Sequence, residues 1–120
     1  PVVTPSKDRV EDTGFSTFVA LFVSTKCNQS CVEYSKSVLL SAGKNAKLDI
    51  YVVAASSDEE IYDIGKKIGV EQSQIESGKI TMNYDAGKFM KLGLKTMPAR
   101  IVVGADGKIK DEQYPYTASN

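Results

Sequence analysis

Two cysteines four residues apart, Cys27 and Cys31, are the only thiols in the chain, and histidine is absent altogether. The absence narrows what the pair can do. Without imidazole there is no Ser-His-Asp or Cys-His catalysis, and the commonest transition-metal ligand is missing. Chemistry then falls to cysteine, carboxylate, lysine, tyrosine or the backbone. A cysteine pair offers thiol-disulfide exchange, two-thiolate binding of a soft metal ion, or a static disulfide. Cys27 follows directly on an apolar run and opens a helical pattern, where unpaired backbone N–H groups and the helix dipole stabilise a thiolate. That makes Cys27 the candidate nucleophile. Residues four apart on a helix differ by roughly 40° in direction and ~6 Å in height, so the two sulfurs share a face. Their Cα atoms fall near the roughly 4.4–6.8 Å window for a disulfide, most easily with Cys27 as the non-helical cap residue. On spacing alone, two ordinary half-buried cysteines or a fixed disulfide remain equally open.

The elements that must position the pair appear as hydrophobic patterns. Residues 18–23 form a continuous apolar run rich in Val and Phe, suited to a strand buried on both faces of a parallel sheet. Ser24, Thr25 and Lys26 turn the chain, and Cys27, Cys31, Tyr34, Val38 and Ala42 follow on one helical stripe that Gly43 ends. Residues 48–55 are a second buried strand. Ser57 and Glu60 have capping-box spacing before Ile61, Ile64 and Ile68, and Gly69 closes that helix. A strand, helix, strand, helix series implies parallel crossovers. Residues 70–77 read as a short helical turn stopped by Gly78. Ile80, Met82 and Tyr84 alternate as in a strand, and Asp85 can cap a short helix through Phe89 and Leu92 to Gly93. Residues 99–103 and 108–113 should pair as a hairpin about Asp106 and Gly107.

At 120 residues the chain fits one domain, and folding should bury roughly two-thirds of its surface, enough for a core without staples. With 42% hydrophobic and 25% charged residues it reads as globular rather than disordered. Fifteen basic residues balance fifteen acidic ones, so no overall field draws it to nucleic acid or an anionic membrane. No apolar run approaches the ~20 residues needed to cross a bilayer, so no membrane span is expected in this segment. The chain begins at Pro1 rather than Met, which is compatible with a removed leader, anchor or larger parent chain. A persistent disulfide would favour a periplasmic or otherwise extracytoplasmic setting, though two cysteines do not establish one.

The segments FVALFVSTKC, running into CNQSC, and GLKTMPARIVVGADGKI resemble the thioredoxin superfamily, over residues 18–113. The unit of residues 48–69, followed by ITMNYDAGKFMKLGL, resembles the TlpA-like and redoxin-like branch, where a βα unit is inserted before the last strands. DAGKFMKLGLKTMP also resembles a thioredoxin-like family encoded on integrating conjugative elements. The resemblance implies an α/β fold: a thioredoxin-like three-layer α/β/α domain with a mixed central sheet and an inserted βα unit. Residues 1–17 would be an N-terminal arm and residues 114–120 a C-terminal tail. It also implies that Cys27 and Cys31 are catalytic and that Pro98 is cis and lies against them. Met97 would then offer backbone groups to a bound peptide, with Thr96 in support, making Thr96, Met97 and Pro98 the substrate-binding candidates. A cis X-Pro bond costs only about 0.5 to 1 kcal/mol over trans, so a tertiary contact can fix it. The plainer alternative is a strand-entry proline.

Several departures from the thioredoxin pattern bear on function. Thioredoxins carry Trp before a Cys-x-x-Cys pair, whereas here Lys26 precedes and Asn28, Gln29 and Ser30 intervene. The buried acid of many thioredoxins would fall at Leu21. Glu33 stands six after Cys27, where some TlpA-type reductases have an acid, and is a candidate proton acceptor for the buried thiol. Lys26 is a candidate for favouring the Cys27 thiolate. Each is otherwise a solvated side chain. Residues 114–120 are too few for the usual terminal helix.

Three functions fit. The first is a thiol-disulfide oxidoreductase that needs no cofactor, with protein thiols or disulfides as partners: Cys27 attacks and Cys31 resolves. The second is a noncatalytic docking module of a larger assembly, such as a conjugation apparatus, with the pair as a static disulfide. The third is Cu(I) handling by two thiolates helped by Met97, on a resemblance to Sco-type copper chaperones whose third ligand, a histidine, is missing here. Met82, Met90 and Met97 read as core and site wall rather than a metal box, and no metal site is expected.

Overall fold

The apolar runs become the centre of the sheet. In the computed structural model, which describes residues 15–115, β1 (Thr17–Ser24) leads to α1 (Gln29–Ser41) and β2 (Ala46–Val53). Then come α2 (Asp58–Ile68), α3 (Gln72–Glu76), β3 (Ile80–Tyr84), α4 (Lys88–Lys91) and the hairpin of β4 (Ala99–Val103) and β5 (Ile109–Gln113). Most of the expected arm, residues 1–14, and the end of the tail, residues 116–120, lie outside the described residues. The sheet order is β3-β2-β1-β4-β5. β1, β2 and β3 run parallel, while β4 is antiparallel to β1 and β5 to β4. The crossovers and the hairpin expected of the sequence account for the parallel β1, β2 and β3 and for the antiparallel β4 and β5, and the antiparallel pairing of β4 with β1 joins the two sets.

Strand alternation divides the core between two layers. Val19, Leu21 and Val23 of β1 face α1 and α2, joining Leu48, Ile50, Val52, Ile80 and Met82 with the helix residues Val32, Val38, Ile61, Ile64 and Ile68. Ala20 and Phe22 face the opposite layer with Leu94, Ala99 and Ile101, and Phe89 and Tyr114 pack against that group. Phe22 stacks on Tyr51 with ring centres 4.9 Å apart, and the Lys88 ammonium lies 5.5 Å from the Tyr51 ring centre. Each fully buried Leu, Ile or Phe contributes roughly 1.5–3 kcal/mol by leaving water.

Some boundaries differ from expectation for physical reasons. β1 already includes Thr17, because its parallel ladder with β2 starts at Thr17 opposite Ala46. β2 accordingly begins earlier than residue 48 and ends where Ala54 adopts a positive φ of 70°. β5 begins at Ile109, after an irregularity in the ladder at Val102 and Val103. Ser57 caps α2 by accepting from the Glu60 N–H, but the Glu60 carboxylate answers to Ser56 rather than to Ser57. β3 is buried along both faces: besides Ile80 and Met82, Thr81 and Asn83 are shielded. Their polar groups are satisfied internally, since Asp49 accepts from Thr81 and from buried Lys47, and Asn83 donates to the Ile50 carbonyl at 3.0 Å. A buried lysine is tolerable only with such a partner.

Candidate functional site

The turn after β1 is closed by serine. The Ser24 carbonyl accepts from the Cys27 N–H at 3.1 Å, and the Ser24 hydroxyl oxygen accepts from the Lys26 N–H at 3.0 Å. Asn28, with extended backbone, is the cap of α1, and its Oδ1 accepts from the Cys31 N–H at 2.9 Å. The expected cap assignment is therefore corrected. Cys27 stands one residue ahead of the cap and outside the helix, because an asparagine amide oxygen is a good acceptor for a helix-start N–H and a cysteine sulfur is a poor one. Cys27 and Cys31 are joined in a disulfide with Cα atoms 5.2 Å apart, inside the window for such a bond. Both are buried, at 3% and 6% exposure, and both belong to the core between the sheet and α1.

The Met97–Pro98 peptide bond is cis. The antiparallel ladder sets Phe22 of β1 opposite Ala99 of β4, so Pro98 and Met97 lie alongside the end of β1, where the chain turns toward Cys27. The cysteine pair and the proline loop thus share one end of the sheet. Pro98 is buried, Met97 is half-buried and Thr96 is exposed. The methionines divide: Met82 is core, whereas Met90 is 83% exposed because the single turn of α4 points Phe89 inward instead.

The two charged candidates do not converge on the sulfurs. Lys26 is exposed and makes no ion pair among the described residues. Glu33 is exposed and its carboxylate accepts from the Gln29 amide at 3.0 Å. Two helical positions separate it from Cys31, a rotation of roughly 200° that turns it away from the buried stripe. Leu21, at the position of the absent acid, is fully buried hydrocarbon. The cation that does reach the pair is Lys67 of α2, whose Nζ donates to the Cys27 carbonyl at 3.0 Å across 40 positions of sequence. Residue type marks Asn28 as a cap three positions before Cys31; no local pattern marks Lys67. Burial pushes the Tyr34 phenol above its ordinary pKa, with Arg100 opposing and Asp111 adding to the shift. Among the described residues, no group of three or more Cys, Asp or Glu side chains is placed to hold a metal ion, and no helix is long and apolar enough to cross a membrane.

No family model matches the chain, and no curated protein matches it in sequence. Solved structures match it in fold. A thioredoxin-like protein from Aeropyrum pernix superposes with a TM-score of 0.67 at 8% identity, over 90% of this chain and 74% of that one. A secreted Mycobacterium tuberculosis disulfide oxidoreductase homologous to Escherichia coli DsbE gives 0.61 at 17% identity, over 90% and 75%. The exposed lipoprotein thioredoxin Etrx1 of Streptococcus pneumoniae gives 0.58 at 12% identity, over 90% and 81%. At these identities the likeness is one of architecture, and the fold is thioredoxin-like.

Proposed function

We propose that this thioredoxin-fold chain is a thiol-disulfide oxidoreductase acting on protein thiols and disulfides through Cys27 and Cys31. The observation that carries the reading is the Cys27–Cys31 disulfide at the β1-to-α1 junction, at the same end of the sheet as the cis Met97–Pro98 bond. In the reduced protein the Cys27 thiolate attacks one sulfur of a substrate disulfide. A Cys27–substrate bond forms, the substrate S–S bond breaks, and its other sulfur leaves as a thiolate that takes a proton. Cys31 then loses its proton and attacks the Cys27 sulfur, forming the intramolecular disulfide and releasing the second substrate thiol. Two electrons pass from the protein to the substrate, with one proton from Cys31 and one from solvent, and the reverse sequence oxidises a dithiol. Thr96 and Met97, ahead of Pro98, serve as the backbone edge that receives an extended substrate segment. An extracytoplasmic setting suits a standing disulfide and agrees with the secreted and lipoprotein character of two of the structural neighbours.

One observation favours a second reading. Because both cysteines are buried, an incoming sulfur reaches Cys27 only if the surrounding loops give way. A static disulfide in a docking module of a larger assembly, conjugative or other, would need no such movement. Incubating reduced Cys31→Ser and Cys27→Ser variants with a disulfide-bonded protein separates the two. Under the oxidoreductase reading Cys31→Ser accumulates a mixed disulfide at Cys27, and Cys27→Ser accumulates far less. Capture by neither variant, with a native disulfide that resists dithiothreitol until the protein unfolds, supports the module.

A further inference from the structure

We propose that Lys67 is the positioning residue of this site, holding the Cys27 carbonyl and stabilising the Cys27 thiolate that forms on reduction. Its consequence for exchange rests on the oxidoreductase reading above; its effect on Cys27 does not. The contact follows from how two helix ends are satisfied. At the start of α1, the Cys31 N–H that would otherwise reach back to the Cys27 carbonyl bonds the Asn28 side chain instead, and the Val32 N–H takes the Asn28 carbonyl. The Cys27 carbonyl is left outside the helix ladder and needs a donor. At the end of α2, the Gly69 and Val70 N–H groups bond the Lys66 and Gly65 carbonyls. With those carbonyls met by backbone, the Lys67 ammonium is available to reach across and donate to Cys27 at 3.0 Å.

A carbonyl oxygen and the sulfur of the same cysteine lie within about 5 Å by covalent geometry, which keeps the ammonium within about 8 Å of Cys27 Sγ. That is inside the range where a charge acts before salt screens it. Other charged groups around the pair are less well placed. Lys26 precedes it, and among the described residues its ammonium makes no hydrogen bond to the pair; Glu33 on α1 is engaged with Gln29, and Glu60 on α2 is engaged with Ser56. Asp63, one turn before Lys67 on α2, is exposed and forms no ion pair with it among the described residues. Arg100 on β4 bridges to Asp111 at 3.8 Å. From the loop between α4 and β4, Met97 and Pro98 bring no charge. Lys67 therefore supplies the tuning cation that sequence alone assigned to Lys26.

The test is the pH dependence of Cys27 alkylation in a Cys31→Ser background, where Cys27 is the only thiol, at low ionic strength. Removing the charge with Lys67→Met should raise the midpoint by about half a pH unit, the size expected of a solvent-exposed charge about 8 Å from the sulfur at low ionic strength. Lys67→Arg should restore it, and Lys66→Met, an equal charge change one residue away with no contact to Cys27, should leave it in place. Should Lys67→Met fail to fold, Lys67→Gln, a shorter neutral donor, tests the charge in its stead. An unmoved midpoint on loss of the Lys67 charge, or an equal shift in Lys66→Met, overturns the proposal. Disulfide turnover by the protein with both cysteines is scored separately. Its absence alongside the Lys67-dependent midpoint defeats the oxidoreductase reading alone, while turnover with an unmoved midpoint defeats only the role of Lys67.

Discussion

Replacing Asn28 by alanine tests whether the helix start beside the cysteines is built as described. The Asn28 side chain is exposed, and its hydrogen bond is the one its Oδ1 accepts from Cys31 N–H at 2.9 Å, so the substitution removes a cap without opening a cavity. Loss of such a cap costs about 1 kcal/mol, with a range of roughly 0.5–2. Unfolding entropy of about 2.1 cal/mol/K per residue gives this 120-residue chain about 0.25 kcal/mol/K, so the midpoint should fall by ~4 °C, within about 2–8 °C. Thermal unfolding followed by circular dichroism, with the disulfide intact, reads this directly. Asn28→Ser keeps an acceptor oxygen at the same place and should recover most of the loss. An unchanged midpoint in Asn28→Ala, or an equal fall in Asn28→Ser, would refute the cap and return the Cys31 N–H to some other partner.

Reduction of the Cys27–Cys31 bond should lower the melting temperature by about 8 °C. The bond closes a loop of sequence separation 4, for which chain entropy gives about 2 kcal/mol; scans with and without reductant measure the difference. Gly69, at φ 96° as the cap of α2, has open space where a side chain would go. Gly69→Ala should therefore lose about 1–2 kcal/mol in urea denaturation from backbone conformation alone. Burial, with Asp49 and Asp85 adding to it, raises the Tyr51 phenol from 10.0 to about 12. A raised folded pKa means its contribution is complete below the unfolded value of 10.0 and is lost as pH climbs to about 12. Across that interval stability should fall less steeply in Tyr51→Phe than in the parent, as followed by denaturant titrations at successive pH values.

Much of the architecture could be read from local pattern. The unbroken Val and Phe run of β1, the turn into the cysteine pair, and the Asp106-Gly107 signal each express a short-range rule, and each lies where that rule puts it. Asn28 is legible as a cap by residue type, although the Cys-x-x-x-Cys spacing by itself makes it a spacer and opens the helix at Cys27. Thr81 and Asn83 look solvated from alternation alone. They are buried because the neighbouring strand meets their polar groups, Asp49 accepting from Thr81 and the Ile50 carbonyl accepting from Asn83, and such pairing depends on register. Lys67 was beyond reach for a related reason: it meets Cys27 only once α2 has packed beside α1, and neither residue's own neighbourhood announces the other. Glu33 is the opposite case: its offset from Cys27 suggests a role in proton transfer, and the rotation of α1 sets its carboxylate in solvent beside Gln29.

Reductive turnover of insulin by the protein, its Cys27→Ser variant and its Cys31→Ser variant, with dithiothreitol as the electron source, bears most directly on whether the paired sulfurs do chemistry. Multiple turnovers above the rate of dithiothreitol alone are expected from the parent and from neither variant. A parent no faster than dithiothreitol, with all three proteins folded, would contradict the oxidoreductase function.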